Sequence, residues 1–352
     1  MLACLAAAAV FAALPGDARA AKPSEFFGVV PFGYPTSAEL ARIHRGGARS
    51  IRIGVSWPTI EPSQGVRNWE QLDAFIADAS RNGIAVLPSF YGTPAWLSAN
   101  SARPPIYSPA QRAAWTAFVR DAAARYGGLG TFWTARPDLP RRPLVIWQVW
   151  NEVNLGYYWG GPPNARAYLD LVGLTREALR AGDPSAKVLS AGLIPFKSAA
   201  AQTVAGDRFL SRLYKMPAAR KLIDAVDIHP YGSTPPIVLK SLHEMRTVLN
   251  RVGARRTPLW VTEFGWTTGG PGWESSPLRA TLTQQAKRVS STYRSLLKSR
   301  RRLRLKRAFY LSLADVPAPG SGTWIDHMGL FDASGQPKPA WFAFVRRAGG
   351  QP

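Results

Sequence analysis

Two stretches of the chain each stop an apolar run at a glutamate. Pro143-Leu144-Val145-Ile146-Trp147-Gln148-Val149-Trp150 leads into Asn151, Glu152, Val153 and Asn154. Pro258-Leu259-Trp260-Val261-Thr262 leads into Glu263, Phe264, Gly265 and Trp266. β-Branched and aromatic runs of this kind read as buried strands. A carboxylate at the end of one is costly to desolvate unless it has a partner or a task. A single such glutamate could be an ion pair in a core. Two of them, set opposite each other across a cleft, have the equipment to break a glycosidic bond: one protonates the leaving oxygen and the other attacks the anomeric carbon.

The neighbours of the pair fit that chemistry. Arg52 stands in the otherwise apolar run Ser50–Ser56, where a buried guanidinium needs an acidic partner. Pairing with Glu263 would keep that carboxylate ionised, and Glu61 is the alternative partner. Asp227, His229 and Tyr231 share one face of another strand by period-two alternation. Tyr231 is placed to donate to the nucleophile, and His229 either touches a sugar hydroxyl or is a satisfied core histidine. Trp57, Trp266 and Trp324, with Trp150, Tyr157, Tyr158, Trp159 and Trp273, fall at or just after strand ends. Aromatic faces there can pack against the C–H faces of a sugar, while some of them will be ordinary core.

The elements that must position these residues alternate along the chain. Strands are expected at 26–32, 50–57, 84–91, 143–150, 187–195, 225–231, 258–262 and 305–315. Each is followed by an apolar stripe at helical spacing, such as Leu72-Phe75-Ile76-Ala79 or Trp115-Phe118-Val119-Ala122. The helix after the seventh strand is expected from about Leu278 to Arg300. Eight strand–helix units with no composition break or long linker predict one (β/α)8 TIM barrel over residues 21–352. In such a barrel the C-terminal strand ends share one mouth, with the fourth and seventh strands on opposite sides of it.

Composition narrows the classes further. The 352 residues are 46% hydrophobic, enough for a sizeable core. Residues 1–20 have the form of an export signal, with an apolar run from Leu2 to Leu14 and a small-x-small site at Ala18-Arg19-Ala20. The run is too short to span a bilayer as an anchor. A mature chain from Ala21 is therefore expected to be secreted, monomeric and without a membrane-spanning segment. Cys4 is the only cysteine, so no disulfide framework or cysteine metal site is expected. The four histidines form no metal-binding pattern, and no metal or other cofactor is expected. The net charge of +22 admits an anionic polysaccharide or cell-wall partner. Its densest run, Arg300 to Arg307, leads into the eighth strand and so falls opposite the mouth, where it reads as a solvated basic rim; that is the wrong side for a basic, aromatic-studded nucleic-acid groove, and no nucleic-acid partner is expected.

The sequence resembles the clan of retaining (β/α)8 glycoside hydrolases that includes families 5 and 39. The resemblance rests on Trp150-Asn151-Glu152, on Thr262-Glu263-Phe264-Gly265-Trp266, on Ile228-His229-Pro230-Tyr231, and on Gly329-Leu330-Phe331 with Lys338-Pro339-Ala340-Trp341. It implies that Glu152 is the acid/base, Glu263 the nucleophile, Asn151 a ligand of the sugar 2-hydroxyl and Tyr231 a partner of the nucleophile. The substrate it implies is a β-linked oligo- or polysaccharide. Strict alternation would send Asn151 and Glu152 to opposite faces, so a bulge is expected at that strand end. Val153 replaces the family's usual proline, and Phe309-Tyr310-Leu311-Ser312-Leu313 lacks the tryptophan many members carry on strand eight, for which Trp324 could substitute. A non-catalytic polysaccharide-binding barrel would have lost a carboxylate, whereas a transglycosylase would keep the same residues.

Overall fold

Residues 25–196, 202–317 and 323–352 are described by a computed structural model. The expected leader and its Cys4 lie outside the described residues. Eight parallel strands alternate with helices: β1 Phe27–Val30, β2 Ser50–Ser56, β3 Ala85–Tyr91, β4 Ile146–Val149, β5 Lys187–Leu189, β6 Val226–Ile228, β7 Leu259–Val261 and β8 Leu305–Leu311. Their order in the sheet is β5-β4-β3-β2-β1-β8-β7-β6. Single parallel bridges, Leu189 with Ala225 and Leu193 with Ile228, join β5 to β6 and nearly close the barrel. This is the single-domain (β/α)8 architecture that the alternating pattern predicts.

Local chemistry explains most element ends. Ser108 accepts from the Gln111 N–H and Pro109 begins the helix Pro109–Tyr126, where a missing donor costs nothing. That helix buries Trp115, Phe118, Val119 and Ala122, the stripe seen in the sequence. One expected boundary is corrected. The helix after β7 runs from Leu282 to Leu303, starting four residues later than its apolar pattern suggests, because Thr281 and Gln284 form a reciprocal capping box. Residues 267–281 are instead a loop with a short turn at Trp273–Ser275.

The core between the barrel and its first helices is aromatic. Trp57 stacks on Phe118 at 5.4 Å between centroids, and Phe90 stacks on Trp147 at 5.1 Å. These layers fix β2, β3 and β4 relative to one another, and the polar residues discussed next project from those strands at the mouth. No helix among the described residues is long and apolar enough to cross a membrane.

Candidate active site

The backbone turns sharply where β4 ends. Its register with β3 is regular, with Ser89 opposite Gln148 and Phe90 opposite Val149. Trp150 and Glu152 then adopt left-handed conformations, with φ of 70° and 40°. The expected bulge is thus replaced by two strained residues, a conformation that surrounding contacts must enforce. Asn154 supplies several of those contacts: its amide donates to the carbonyls of Ile194 and Val204 and accepts from the Ile194 N–H. The Trp150 indole also donates to the Tyr158 carbonyl at 2.7 Å. The turn brings both Asn151 and Glu152 to the mouth, which a regular strand would not do.

Glu263, just past β7, is held from two sides. One Nη of Arg52 donates to its Oε1 at 2.5 Å, and the Tyr231 hydroxyl donates to its Oε2 at 2.6 Å. Glu61 is not the arginine's partner, since it accepts from Trp57, Gly65 and Arg67. Arg52 spreads its other donors over Gln148 Oε1 at 2.6 Å, Asn151 Oδ1 at 2.9 Å and Ser89 Oγ at 3.5 Å. One guanidinium therefore orients residues from β3, β4 and β7 at once. Gln148 and Ser89 were legible only as polar residues inside apolar strands.

Glu152 is paired differently. Its Oε1 lies 2.8 Å from His229 Nδ1, and His229 Nε2 lies 3.0 Å from Thr262 Oγ1 and 3.4 Å from Asp227 Oδ2. Asp227 is itself fully buried and accepts from Gln148 and from the Thr262 N–H. His229 has no exposed surface, so it does not reach a sugar hydroxyl as one reading of the sequence had it. It positions Glu152 from behind. One carboxylate oxygen of Glu152, one of Glu263 and a ring nitrogen of His229 all lie within 4.8 Å of one another.

These surroundings drive the two carboxyls apart in acidity. Burial raises Glu152 above the ordinary carboxylate range, with the Glu263 charge adding to it and His229 acting against it. Burial would raise Glu263 as well, but the charges of His229 and Arg52 and the Tyr231 hydrogen bond outweigh it and hold Glu263 low. Burial disfavours the imidazolium of His229, yet Glu263, Asp227 and Glu152 together push it up to about 10. His229 and Glu152 thus keep a proton between them at neutral pH, while Glu263 stays charged. Among the described residues, Glu152, His229 and Glu263 are also the ones whose donor atoms converge enough to hold a metal ion. Both Glu263 oxygens already accept hydrogen bonds, and the adjacent guanidinium opposes a cation there, so the donor set does not fit one.

Glu263, with the buried Glu152 behind it, opens into a cleft of two lobes, of about 670 and 720 Å³, that meet over Arg52, Gly54, Tyr91, Tyr158 and Glu263. One lobe is bounded by Trp150, Asn151 and Tyr157, the other by Phe32, Tyr34 and Ile325. Two of the expected sugar-stacking residues do not reach it. Trp57 and Trp266 are fully buried, because each indole N–H finds an internal acceptor, Glu61 for Trp57 and the Gly232 carbonyl for Trp266. Trp324 is half-buried and adjoins Ile325 at the rim. Tyr91, 44% exposed, and Tyr157, 80% exposed, are exposed aromatic rings on the wall of the cleft. Replacing Trp57 by Phe should accordingly cost about 1–3 kcal/mol of stability, through the lost hydrogen bond to Glu61 and the space left by the smaller ring, with KM unchanged. Denaturant unfolding and kinetics on the same preparation check both halves of that expectation.

No protein-family model matches the chain, and no curated protein matches its sequence. Solved structures do share its fold. A family 39 glycoside hydrolase from the gut symbiont Bacteroides cellulosilyticus WH2 superposes with a TM-score of 0.64 at 19% identity, over 92% of this chain and 63% of that one. The GH39 enzyme from Xanthomonas axonopodis pv. citri gives 0.65 at 20% identity, over 92% of this chain and 65% of that one. A GH5_18 protein from Bifidobacterium longum subsp. infantis gives 0.68 at 15% identity, over 92% and 78%. The chain spans less than two thirds of the length of the two family 39 structures. At these identities the likeness is one of fold: the protein is a (β/α)8 barrel of the shape that glycoside hydrolases of families 39 and 5 share.

Proposed function

We propose that the protein is an exported retaining glycoside hydrolase in which Glu263 is the nucleophile and Glu152 the acid/base. The observation that carries the reading is the approach of the two carboxylates, with oxygens within 4.8 Å across the cleft and acidities displaced in opposite directions. Retaining enzymes hold these groups ~5–5.5 Å apart, whereas inverting ones leave ~6.5–9.5 Å for a water. Glu263 attacks the anomeric carbon as Glu152 gives its proton to the departing oxygen. A covalent glycosyl-enzyme forms, and Glu152, now a base, draws the proton from the water that releases the sugar. Asn151, fixed by Arg52, is placed to hold a hydroxyl beside the anomeric centre.

The substrate on this reading is a neutral, β-linked glycan. Among the described residues, Arg52 is the single lysine or arginine bounding either lobe, and it is committed to Glu263. The excess positive charge therefore acts outside the cleft, not on the sugar that is cut. Product followed by NMR from an aryl β-glycoside should first carry the substrate's anomeric configuration, and inversion would reassign Glu263 as a base. The profile of kcat/KM against pH should be a bell. Its acid limb, set by Glu263, should fall below the ordinary carboxylate pKa, and its alkaline limb, set by Glu152, above it. Export is tested by sequencing the secreted protein's N-terminus, expected at Ala21.

A further inference from the structure

One polar group at the seam between the two lobes has no partner in the protein. Tyr158 bounds both lobes together with Glu263, and it sits in the helical turn Gly156–Trp159 just after Glu152. That turn is tied down on two sides. The Gly156 N–H donates to the Gln202 carbonyl at 3.0 Å, and the Tyr158 carbonyl accepts from the Trp150 indole. Tyr157 packs edge-on against the Tyr158 ring, with centroids 4.9 Å apart and planes at 87°. The ring is thus held in place, yet its hydroxyl makes no hydrogen bond among the described residues.

The carboxyl pair has one matching vacancy. Both oxygens of Glu263 are taken, by Arg52 and by Tyr231. On Glu152 the Oε1 is taken by His229, while Oε2 has no hydrogen-bond partner among the described residues. Burial raises the Tyr158 phenol above its ordinary value, and the charges of Glu152 and then Glu263 raise it further, against the pull of Arg52. Coulomb effects fade with distance, so the hydroxyl lies near both carboxylates. A phenol so placed keeps its proton at neutral pH and stays a hydrogen-bond donor.

We propose, on the retaining-hydrolase reading above, that Tyr158 is a further catalytic residue whose hydroxyl binds the oxygen that leaves and then the water that replaces it. In the first step Glu152 gives its proton to the glycosidic oxygen as the bond to the anomeric carbon breaks, and the electron pair of that bond stays on the oxygen. Tyr158 donates a hydrogen bond to the same oxygen and keeps its own proton. In the second step a water occupies that place, accepts from Tyr158 and loses a proton to Glu152. Its oxygen bonds to the anomeric carbon as the bond to Glu263 breaks. A hydroxyl of a sugar lying in one lobe would also satisfy a phenol. The position of Tyr158 on the seam, beside the free oxygen of Glu152, selects the bond between two sugars instead.

The test is Tyr158→Phe, compared with the unmodified chain on 2,4-dinitrophenyl, 4-nitrophenyl and methyl β-glycosides of one sugar. That sugar is whichever of glucose, galactose, mannose and xylose the unmodified chain releases fastest from its 4-nitrophenyl β-glycoside. A hydrogen bond to the departing oxygen matters most where that oxygen is most basic. In Tyr158→Phe, kcat/KM should fall roughly ten-fold or more on the methyl glycoside and barely change on the dinitrophenyl one. On the dinitrophenyl glycoside, where release of the sugar from Glu263 sets the pace, kcat and KM should fall together. The urea midpoint should not move, because the hydroxyl has no protein partner to lose. An equal fall in kcat/KM on every leaving group would assign the hydroxyl to a sugar hydroxyl and overturn the proposal. No change on any of them, or a lowered urea midpoint, would overturn it as well. Each of these results leaves the roles of Glu152 and Glu263 standing. If the unmodified chain cleaves none of the glycosides, the hydrolase reading falls and this proposal falls with it.

Discussion

Replacing Glu263 by alanine should lower turnover by roughly 10⁴- to 10⁶-fold, the scale seen when a covalent nucleophile is removed. The barrel should survive, because Arg52 keeps Gln148 and Asn151 as partners and Tyr231 loses only an acceptor at the cleft. Alanine leaves space beside the anomeric carbon, so added azide should restore part of the rate and yield a glycosyl azide of inverted configuration. Replacing Glu152 should behave differently. It should spare the first step with a good leaving group and cost ~10²–10⁴-fold with a poor one, and azide should then give product of retained configuration. Measuring both rescues on the same aryl glycoside separates the roles. If azide gave retained product in the Glu263 variant and inverted product in the Glu152 variant, the two assignments would have to be exchanged.

Arg52 should be the next most sensitive residue, although it touches no bond that breaks. Arg52→Met leaves the Glu263 carboxylate with Tyr231 as its remaining neutral donor and removes the partner of Gln148 and Asn151. Losing one side of a buried ion pair costs about 3–5 kcal/mol, which here falls on folding, on the ionised nucleophile, or on both. The sign of the pH effect follows from the charges. Arg52 lowers the Glu263 pKa, so without it that pKa rises, and the acid limb of kcat/KM should move to higher pH while the alkaline limb stays. Activity lost near pH 5 should therefore exceed activity lost near pH 7. Arg52→Lys should fall between, since a point charge can hold Glu263 but cannot bridge three strands. A pH profile unchanged in shape in Arg52→Met would show that the arginine has no part in ionising Glu263.

Much of the molecule was readable from local pattern. Strand–helix alternation is set by periodicity within windows of ten to twenty residues, which the sequence carries directly. The two glutamates stood out because a carboxylate at the end of an apolar run is costly wherever the run folds. Arg52 was legible for the same reason; Tyr231 was picked out by strand alternation, although β6 ends at Ile228 and the chain beyond it, not the strand, carries His229 and Tyr231 to the site.

What the sequence could not carry is whatever depends on residues from different strands meeting. The tryptophans show this most directly: Trp57 and Trp266 have the sequence neighbourhood of cleft residues, but each indole N–H reaches an acceptor inside the core and the ring follows it. Sequence alone did not reveal that Gln148 and Ser89 would be held by Arg52, or that His229 would sit behind Glu152 instead of facing the sugar. Nor could alternation foresee the left-handed turn at Trp150 and Glu152, which needs Asn154 bound to the loop beyond β5 to hold it. The division of acidity between two chemically identical side chains is the clearest case. It arises because the charges of His229 and Arg52 and the Tyr231 hydroxyl act on Glu263 while burial dominates at Glu152, and only the folded barrel brings those strands together.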